Sequence, residues 1–251
     1  MAPDRVRIAA HAKLNLFLRI LAREGSGHHQ IETAFCLLEL ADELVVARTA
    51  SGGVVTLAVR GPDLGPTEEN LAVRAARAVV EATGNAFGVA IELTKRIPER
   101  AGLGGGSSDA AAALHAVNAL AGDVVPGPEL LHFAARLGAD VAFLASGAPA
   151  ARGPVVLDAD ALASWGGVGR LGGNDFEVPV FGRRPELRAL FERLAGTRPL
   201  WVRLCGSGSA VAAVYRNERD RDDAARELGE KQQALITTTT RAQPAAPPVA
   251  Q

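Results

Sequence analysis

The chain has 251 residues, carries 27 Lys and Arg against 28 Asp and Glu for a net charge of −1, and is 48% hydrophobic. That is enough apolar material for a substantial core, in one large domain or two small ones. The near-neutral balance removes the electrostatic basis for binding nucleic acid. No apolar run approaches the ~20 residues of a membrane span. The opening MAPDRVRIAA lacks the apolar segment of a signal peptide, so a cytoplasmic protein is expected. Cys36 and Cys205 are far apart and fit reduced, structural thiols, and the histidines show no H-x-x-x-H or H-E-x-x-H spacing that would suggest a built-in metal centre.

The first predicted element is a strand over residues 12–20, where Leu14, Leu16, Leu18 and Ile20 fall on one face and Lys13 and Asn15 share the other. Two polar side chains so placed can bind one ligand together, although an ordinary solvated face is the commoner reason for the pattern. A turn at Gly25-Ser26-Gly27 leads to the adjacent His28 and His29, and residues 31–40 and 42–48 read as further strand or apolar structure. Leu71, Val73, Ala75, Ala78, Val79 and Ala82 recur at helical spacing over 69–83, with Gly84 as the stop. Val89, Ile91 and Leu93 then alternate with Ala90, Glu92 and Thr94 as a half-buried strand.

That strand enters the most informative stretch, Pro98-Glu99-Arg100-Ala101-Gly102-Leu103-Gly104-Gly105-Gly106-Ser107-Ser108-Asp109, which runs into an alanine-rich helix through Leu120. Glycines reach positive φ cheaply, so successive N–H groups can converge on a phosphate, and a helix N-terminus adds free donors and partial positive charge. Ser108 is the expected N-cap and Asp109 a first-turn residue. Two common phosphate loops are excluded by spelling. No lysine follows the last glycine as a P-loop requires, and Ser107 stands where G-x-G-x-x-G needs its third glycine. A flexible turn ahead of a structural helix is the plain alternative.

Another helix is predicted over Pro128 to Leu137 and ended by Gly138. Asp140 then stands before an apolar run, either as a cap of the next helix or as a carboxylate at the edge of a cleft. Two late strands, 201–205 and 211–215, flank Gly206-Ser207-Gly208-Ser209, a second glycine turn able to close a phosphate pocket from the other side. The proline-rich end reads as a disordered tail.

These segments resemble the GHMP small-molecule kinases: residues 98–113 are similar to their central phosphate loop, and 206–209 to their C-terminal motif. Five stretches, in the expected order, resemble the branch that acts on a cytidine-diphosphate-linked methylerythritol. They are Ala12-Lys13-Leu14-Asn15, Asn70-Leu71-Ala72, Gly104-Gly105-Gly106-Ser107-Ser108-Asp109, Gly138-Ala139-Asp140-Val141 and Gly173-Asn174-Asp175-Phe176-Glu177. The resemblance implies an α+β fold of two lobes, an N-terminal lobe over 1–150 and a shortened C-terminal lobe over 151–232, followed by the disordered tail over 233–251.

It also implies transfer of the γ-phosphoryl group of ATP, with Mg²⁺ supplied on the nucleotide, to the 2-hydroxyl of that small-molecule substrate, toward isoprenoid precursors. Asp140 would orient and deprotonate the hydroxyl, and Lys13 would steady the developing charge. Asn15, His28 and His29 would contact the substrate. Lys95 and the loop residues Pro98, Glu99, Arg100, Ala101, Gly102, Leu103, Gly104, Gly105, Gly106, Ser107 and Ser108 would hold ATP. Phosphoryl transfer asks mainly for positioning and charge neutralisation, which these parts supply.

The chain departs from the family in three places. His28 stands where a stacking tyrosine is common, Glu99-Arg100 replace small or apolar residues, and the stretch between Gly153 and Gly172 is short, hence the reduced second lobe. Other GHMP kinases, acting on a sugar, a mevalonate derivative or homoserine, and a non-catalytic nucleotide-binding relative are the alternatives. The presence of both Lys13 and Asp140 argues against the last. A monomer or homodimer is expected.

Overall fold

The computed structural model describes residues 2–23, 29–146, 159–229, 235–240 and 248–250; the expected lobe boundary at 150/151 and His28 lie outside the described residues. A five-stranded sheet organises the chain. Strand β1 (Arg5–Arg23) runs antiparallel to β2 (His29–Thr49) along its whole length, from Arg5 against Ala47 to Arg23 against His29. Strand β3 (Val55–Arg60) pairs in parallel with β4 (Gly88–Thr94), and β4 pairs antiparallel with the outer half of β2. A hairpin of β5 (Trp201–Leu204) and β6 (Val211–Val214) stands apart, and β7 (Val249–Ala250) completes the main sheet in the order β3-β4-β2-β1-β7.

Helices α1 (Leu71–Ala82), α2 (Gly105–Leu120), α3 (Gly127–Leu137) and α4 (Ala139–Ser146) share one core with this sheet. The small residues Ala72, Ala75 and Ala76 on α1 and Ala110 to Ala113 on α2 are all buried. Because α2 is apolar nearly all round, it sits inside the core rather than on it. The remaining helices are α5 (Ala159–Leu162), α6 (Trp165–Leu171), α7 (Glu177–Arg183), α8 (Pro185–Gly196) and α9 (Glu218–Leu228). Among the described residues, no helix is long and apolar enough to cross a membrane.

Burial along β1 explains how the site arises. Val6, Ile8 and Ala10 are buried while Arg5, Arg7 and Ala9 are exposed, the alternation of a strand with one covered face. From His11 to Asn15 every residue is buried. There a second core of Ala12, Leu14, Leu38, Ile97, Leu103, Val168, Trp201 and Cys205 closes over the strand. The solvated-face reading of Lys13 and Asn15 is therefore overturned: they are 4% and 2% exposed.

The edge of β1 away from β2 is filled by distant parts of the chain. After β7 come Lys13 N donating to Leu103 O (3.0 Å), Leu18 N donating to Gly173 O (3.0 Å) and Asp175 N donating to Leu18 O (2.9 Å). Asn174, 4% exposed, donates to the carbonyls of Leu204 (2.9 Å) and Gly206 (2.6 Å) and accepts from Phe176 N (3.0 Å). Asp175 accepts from Ile20 N (2.7 Å) and Glu177 from Leu204 N (3.0 Å). Gly173-Asn174-Asp175-Phe176-Glu177 thus fastens the hairpin to β1.

Two expectations differ from the structure. Ser108 is not the N-cap of α2: Gly104 takes that place in the left-handed region (φ 72°), and Ser108 N already donates to Gly104 O (2.8 Å) within the helix. Parts of the stretch read as a disordered tail lie on the sheet. Glu39 N donates to Thr239 O (2.8 Å), Leu40 N to Thr238 Oγ1 (2.9 Å), and Val249 and Ala250 pair with Arg7 and Val6. Both segments supply partners to strand edges that would otherwise be open, which overrides the low-complexity composition. Replacing the fastener, Asn174→Ala, strands two buried carbonyls and one N–H. It should lower stability by about 2–4 kcal/mol in urea unfolding.

Candidate active site

The phosphate loop is braced at both ends by one buried ion triad. Asp42, 0% exposed on β2, accepts from Arg96 N (2.5 Å) and Ile97 N (2.8 Å) through Oδ1, and its Oδ2 pairs with Lys95 Nζ. The same ammonium donates to Asp109 Oδ2 (2.8 Å) in the first turn of α2. Burial lowers the pKa of Lys95, but the two carboxylates outweigh it and hold the group above its ordinary value. Burial pushes Asp109 up to about 7, opposed by Lys95 and reinforced by Asp42. Asp109 Oδ1 is buried with no hydrogen-bond partner among the described residues. Sequence reasoning missed Asp42; its signal was an acid set within the apolar run Leu37 to Val46.

Between those ends the loop lies against the second glycine turn. Ser209 N donates to Arg100 O and Ala210 N to Ala101 O, both at 3.1 Å. Gly102 (φ +77°) comes so near that a Cβ there would lie 1.8 Å from Cys205 O. The turn therefore supports the loop from behind, instead of facing the pocket as expected. Cys205 is fully enclosed, and burial lifts its thiol pKa to about 12. Both cysteines are free thiols, as expected.

A cavity of about 350 Å³ lies in front of the loop, lined by Leu64, Asn70 and Leu71 on one side and by Lys95, residues 98–107 and Asp109 on the other. Every residue expected to hold ATP thus lines it except Ser108, which is buried in the helix. Leu64, Asn70, Leu71 and Asp109 are additions to that set; Asn70 also caps α1, accepting from Ala72 N (2.9 Å). Gly105, Gly106 and Ser107 occupy the first turn of α2, whose N–H groups have no acceptor within the helix. A second hollow of about 420 Å³, among Glu39, Arg96, Arg221 and Thr237 to Thr239, contains neither Lys13, Asp140 nor any loop glycine.

Lys13 links this cradle to an acid. Gly104 passes so close to the lysine stem that a Cβ would lie 2.9 Å from Lys13 Cγ, which brings the ammonium to the N-terminus of α2. Lys13 Nζ donates to Asn15 Oδ1 (2.8 Å) and stands 3.4 Å from Asp140 Oδ2. Asn15 Nδ2 in turn donates to Thr33 Oγ1 (2.9 Å). The Phe35 ring lies 5.0 Å from Lys13 Nζ, an attraction worth roughly 0.5–2 kcal/mol. Phe35 meets Phe143 at a centroid separation of 4.5 Å. Asp140 sits in the first turn of α4, its side chain 32% exposed, so it is a carboxylate at the mouth of a site and not a buried cap. The structure thus brings Lys13, Asn15, Asp140 and the phosphate loop together. His29 opens β2 by pairing with Arg23.

Known proteins resemble the chain over most of its length. The N-terminal domain family of the GHMP kinases matches residues 70–150, and their C-terminal domain family matches 159–234. The chain is 33% identical to the 4-diphosphocytidyl-2-C-methyl-D-erythritol kinase of Solibacter usitatus, over 93% of this chain and 89% of that one. It is 45% identical to the enzyme of the same name from Ralstonia nicotianae over 148 residues, which is 58% of this chain and half the length of that relative. A crystal structure of 4-(cytidine 5'-diphospho)-2C-methyl-D-erythritol kinase superposes with a TM-score of 0.70 at 33% identity, covering 93% of this chain and 98% of the other. A homoserine kinase from Cytophaga hutchinsonii shares the fold at 17% identity and a TM-score of 0.62, over 91% of this chain and 90% of its own. A lysine and a carboxylate facing each other beside a glycine cradle, in a chain with these relatives, place it among the GHMP kinases, in the family of the 4-diphosphocytidyl-2-C-methyl-D-erythritol kinases.

Proposed function

We propose that this enzyme transfers the γ-phosphoryl group of ATP to the 2-hydroxyl of 4-diphosphocytidyl-2-C-methyl-D-erythritol. The observation that carries the reading is the convergence at Gly104. The helix N-terminus, the ammonium of Lys13 and, 3.4 Å from it, the carboxylate of Asp140 meet there. In this reading the polyphosphate lies along residues 98–107 and accepts from the first-turn N–H groups of α2. Asp140 takes the proton of the acceptor hydroxyl, and the freed oxygen attacks the γ-phosphorus. The bond from that phosphorus to the oxygen of the leaving ADP breaks, and Lys13 offsets the negative charge that builds between them.

Asn15, held by Lys13 and Thr33, stands at the substrate end, and His28 and His29 are assigned to substrate contact by the family resemblance alone. Lys95, with its ammonium committed to Asp42 and Asp109, serves ATP by bracing the loop. Mg²⁺ carried on the nucleotide would neutralise phosphate charge, and Ser107 and Asp109 of the cavity wall would hold it. The enzyme works in the cytoplasm, with the nucleotide lobe over 1–150 and a smaller lobe over 151–232 closing the site.

Phosphorus NMR of Mg-ATP incubated with the cytidylyl alcohol, and in parallel with mevalonate, homoserine and simple sugars, tests the acceptor. A phosphomonoester only in the first tube is expected, and product only in another tube would reassign the substrate. Asp140→Asn should lower kcat about 10²–10⁴-fold while ATP still binds. Lys13→Ala should lower kcat about 10²-fold with little change in ATP affinity, read by calorimetry.

The brace has its own test in stability against pH. Burial pushes Asp109 up to about 7 from its ordinary 3.8, so between those pH values the folded state holds a proton that the unfolded chain has released. Its contribution is complete below pH 3.8 and is lost as pH rises through about 7. The urea midpoint of the wild type should therefore fall between pH 4 and pH 7, and Asp109→Asn should flatten that decline.

A further inference from the structure

Among the described residues Asn15, Asp140 and Phe35 stand round the ammonium of Lys13, and the aromatic one has no role in the transfer described above. Phe35 on β2 lies directly opposite Asn15 of β1, and its ring stands 5.0 Å from Lys13 Nζ. The same ring meets Phe143 at a centroid separation of 4.5 Å, tilted by 48°. Phe143 is three residues beyond Asp140 on α4, so the two side chains leave the helix on the same side. One aromatic pair thus connects the strand beside Lys13 with the helix that carries Asp140.

We propose that Phe35, backed by Phe143, is a positioning residue that sets the distance and direction between Lys13 and Asp140; this rests on the reading of those two as the reacting pair. The chemistry favours a ring in this place. An aromatic face attracts an ammonium through its quadrupole without taking a proton or cancelling the charge. Lys95 shows the contrast, since its two carboxylates neutralise it. An aliphatic side chain would fill the space but leave the ammonium free to swing toward Asp140 or outward. The ring holds Lys13 in place and leaves its charge available to a phosphoryl group.

The test compares Phe35→Leu, which removes the π face, with Phe35→Tyr, which keeps it, using the full chain with Mg-ATP and the cytidylyl alcohol. Phe35→Leu should lower kcat about 10-fold, with KM for ATP within 2-fold and an unchanged melting temperature, and Phe35→Tyr should restore most of the rate. In a Lys13→Ala background the Phe35→Leu loss should vanish, because the ring acts through that lysine. Wild-type kcat in Phe35→Leu, or an equal loss with and without Lys13, overturns the proposal.

A second readout does not depend on turnover. In ¹³C-lysine-labelled protein the Lys13 ε-CH₂ signal, assigned by its absence in Lys13→Ala, should be shifted upfield by the ring and return toward the common lysine position in Phe35→Leu. No change in that signal also overturns the proposal. Should the wild type phosphorylate none of the alcohols tried, the functional reading fails, and the lysine signal alone decides whether Phe35 holds Lys13. If Phe35→Leu does not fold, Phe143→Leu, which removes only the backing, should give a smaller loss of about 3-fold in kcat and a partial shift. An unchanged rate and signal there count against the proposal.

Discussion

An ammonium buried beside the N-terminus of a helix is poorly placed until an anion joins it. Lys13 lies against Gly104, where α2 begins, and so adds a full positive charge to the partial one of the helix and its first-turn donors. Asp140 offsets this only in part, at 3.4 Å and from a position one-third exposed. The unsatisfied remainder is what polyphosphate can complete. Much of the architecture keeps these two positive features together. The second core packs on the Ala12 and Leu14 face of β1, Leu103 pairs with Lys13 through the backbone, and the triad of Asp42, Lys95 and Asp109 ties the loop to sheet and helix.

The two buried lysines show how surroundings divide one residue type into two jobs. Lys95 faces two carboxylates and behaves as a strut; its charge is spent inside the protein. Lys13 faces an amide, an aromatic ring and a single carboxylate that water can also reach, so its charge still acts outward. A pair of ions sunk in a core adds little net stability but costs several kcal/mol when one member is removed. The triad is therefore better understood as a device for geometry than as a source of stability.

Much of this was legible because it is local. Period-two alternation put Lys13 and Asn15 on one strand face, and a glycine run ahead of an alanine-rich helix marked an anion site. What escaped was set by distant packing. No local pattern reveals that the Lys13 face is covered, because Gly104 and Asp140, which lie against that side chain, are about 90 and 130 positions further along. Asp42 reaches Lys95 across 53 positions, so the brace had no motif to announce it. Ser108 looked like a cap by residue type, yet Gly104 reaches the left-handed conformation cheaply and begins the helix earlier. The tail was read from composition, which is blind to strand edges in need of partners.

The contact between Gly102 and Cys205 bears on how firmly the phosphate loop is held. Backbone meets backbone there with no space for even a methyl group, and two further main-chain hydrogen bonds flank the point. Such a junction does not slide. Loop and turn are therefore held in one fixed relation, and any side chain larger than hydrogen at position 102 would have to push the two backbones apart.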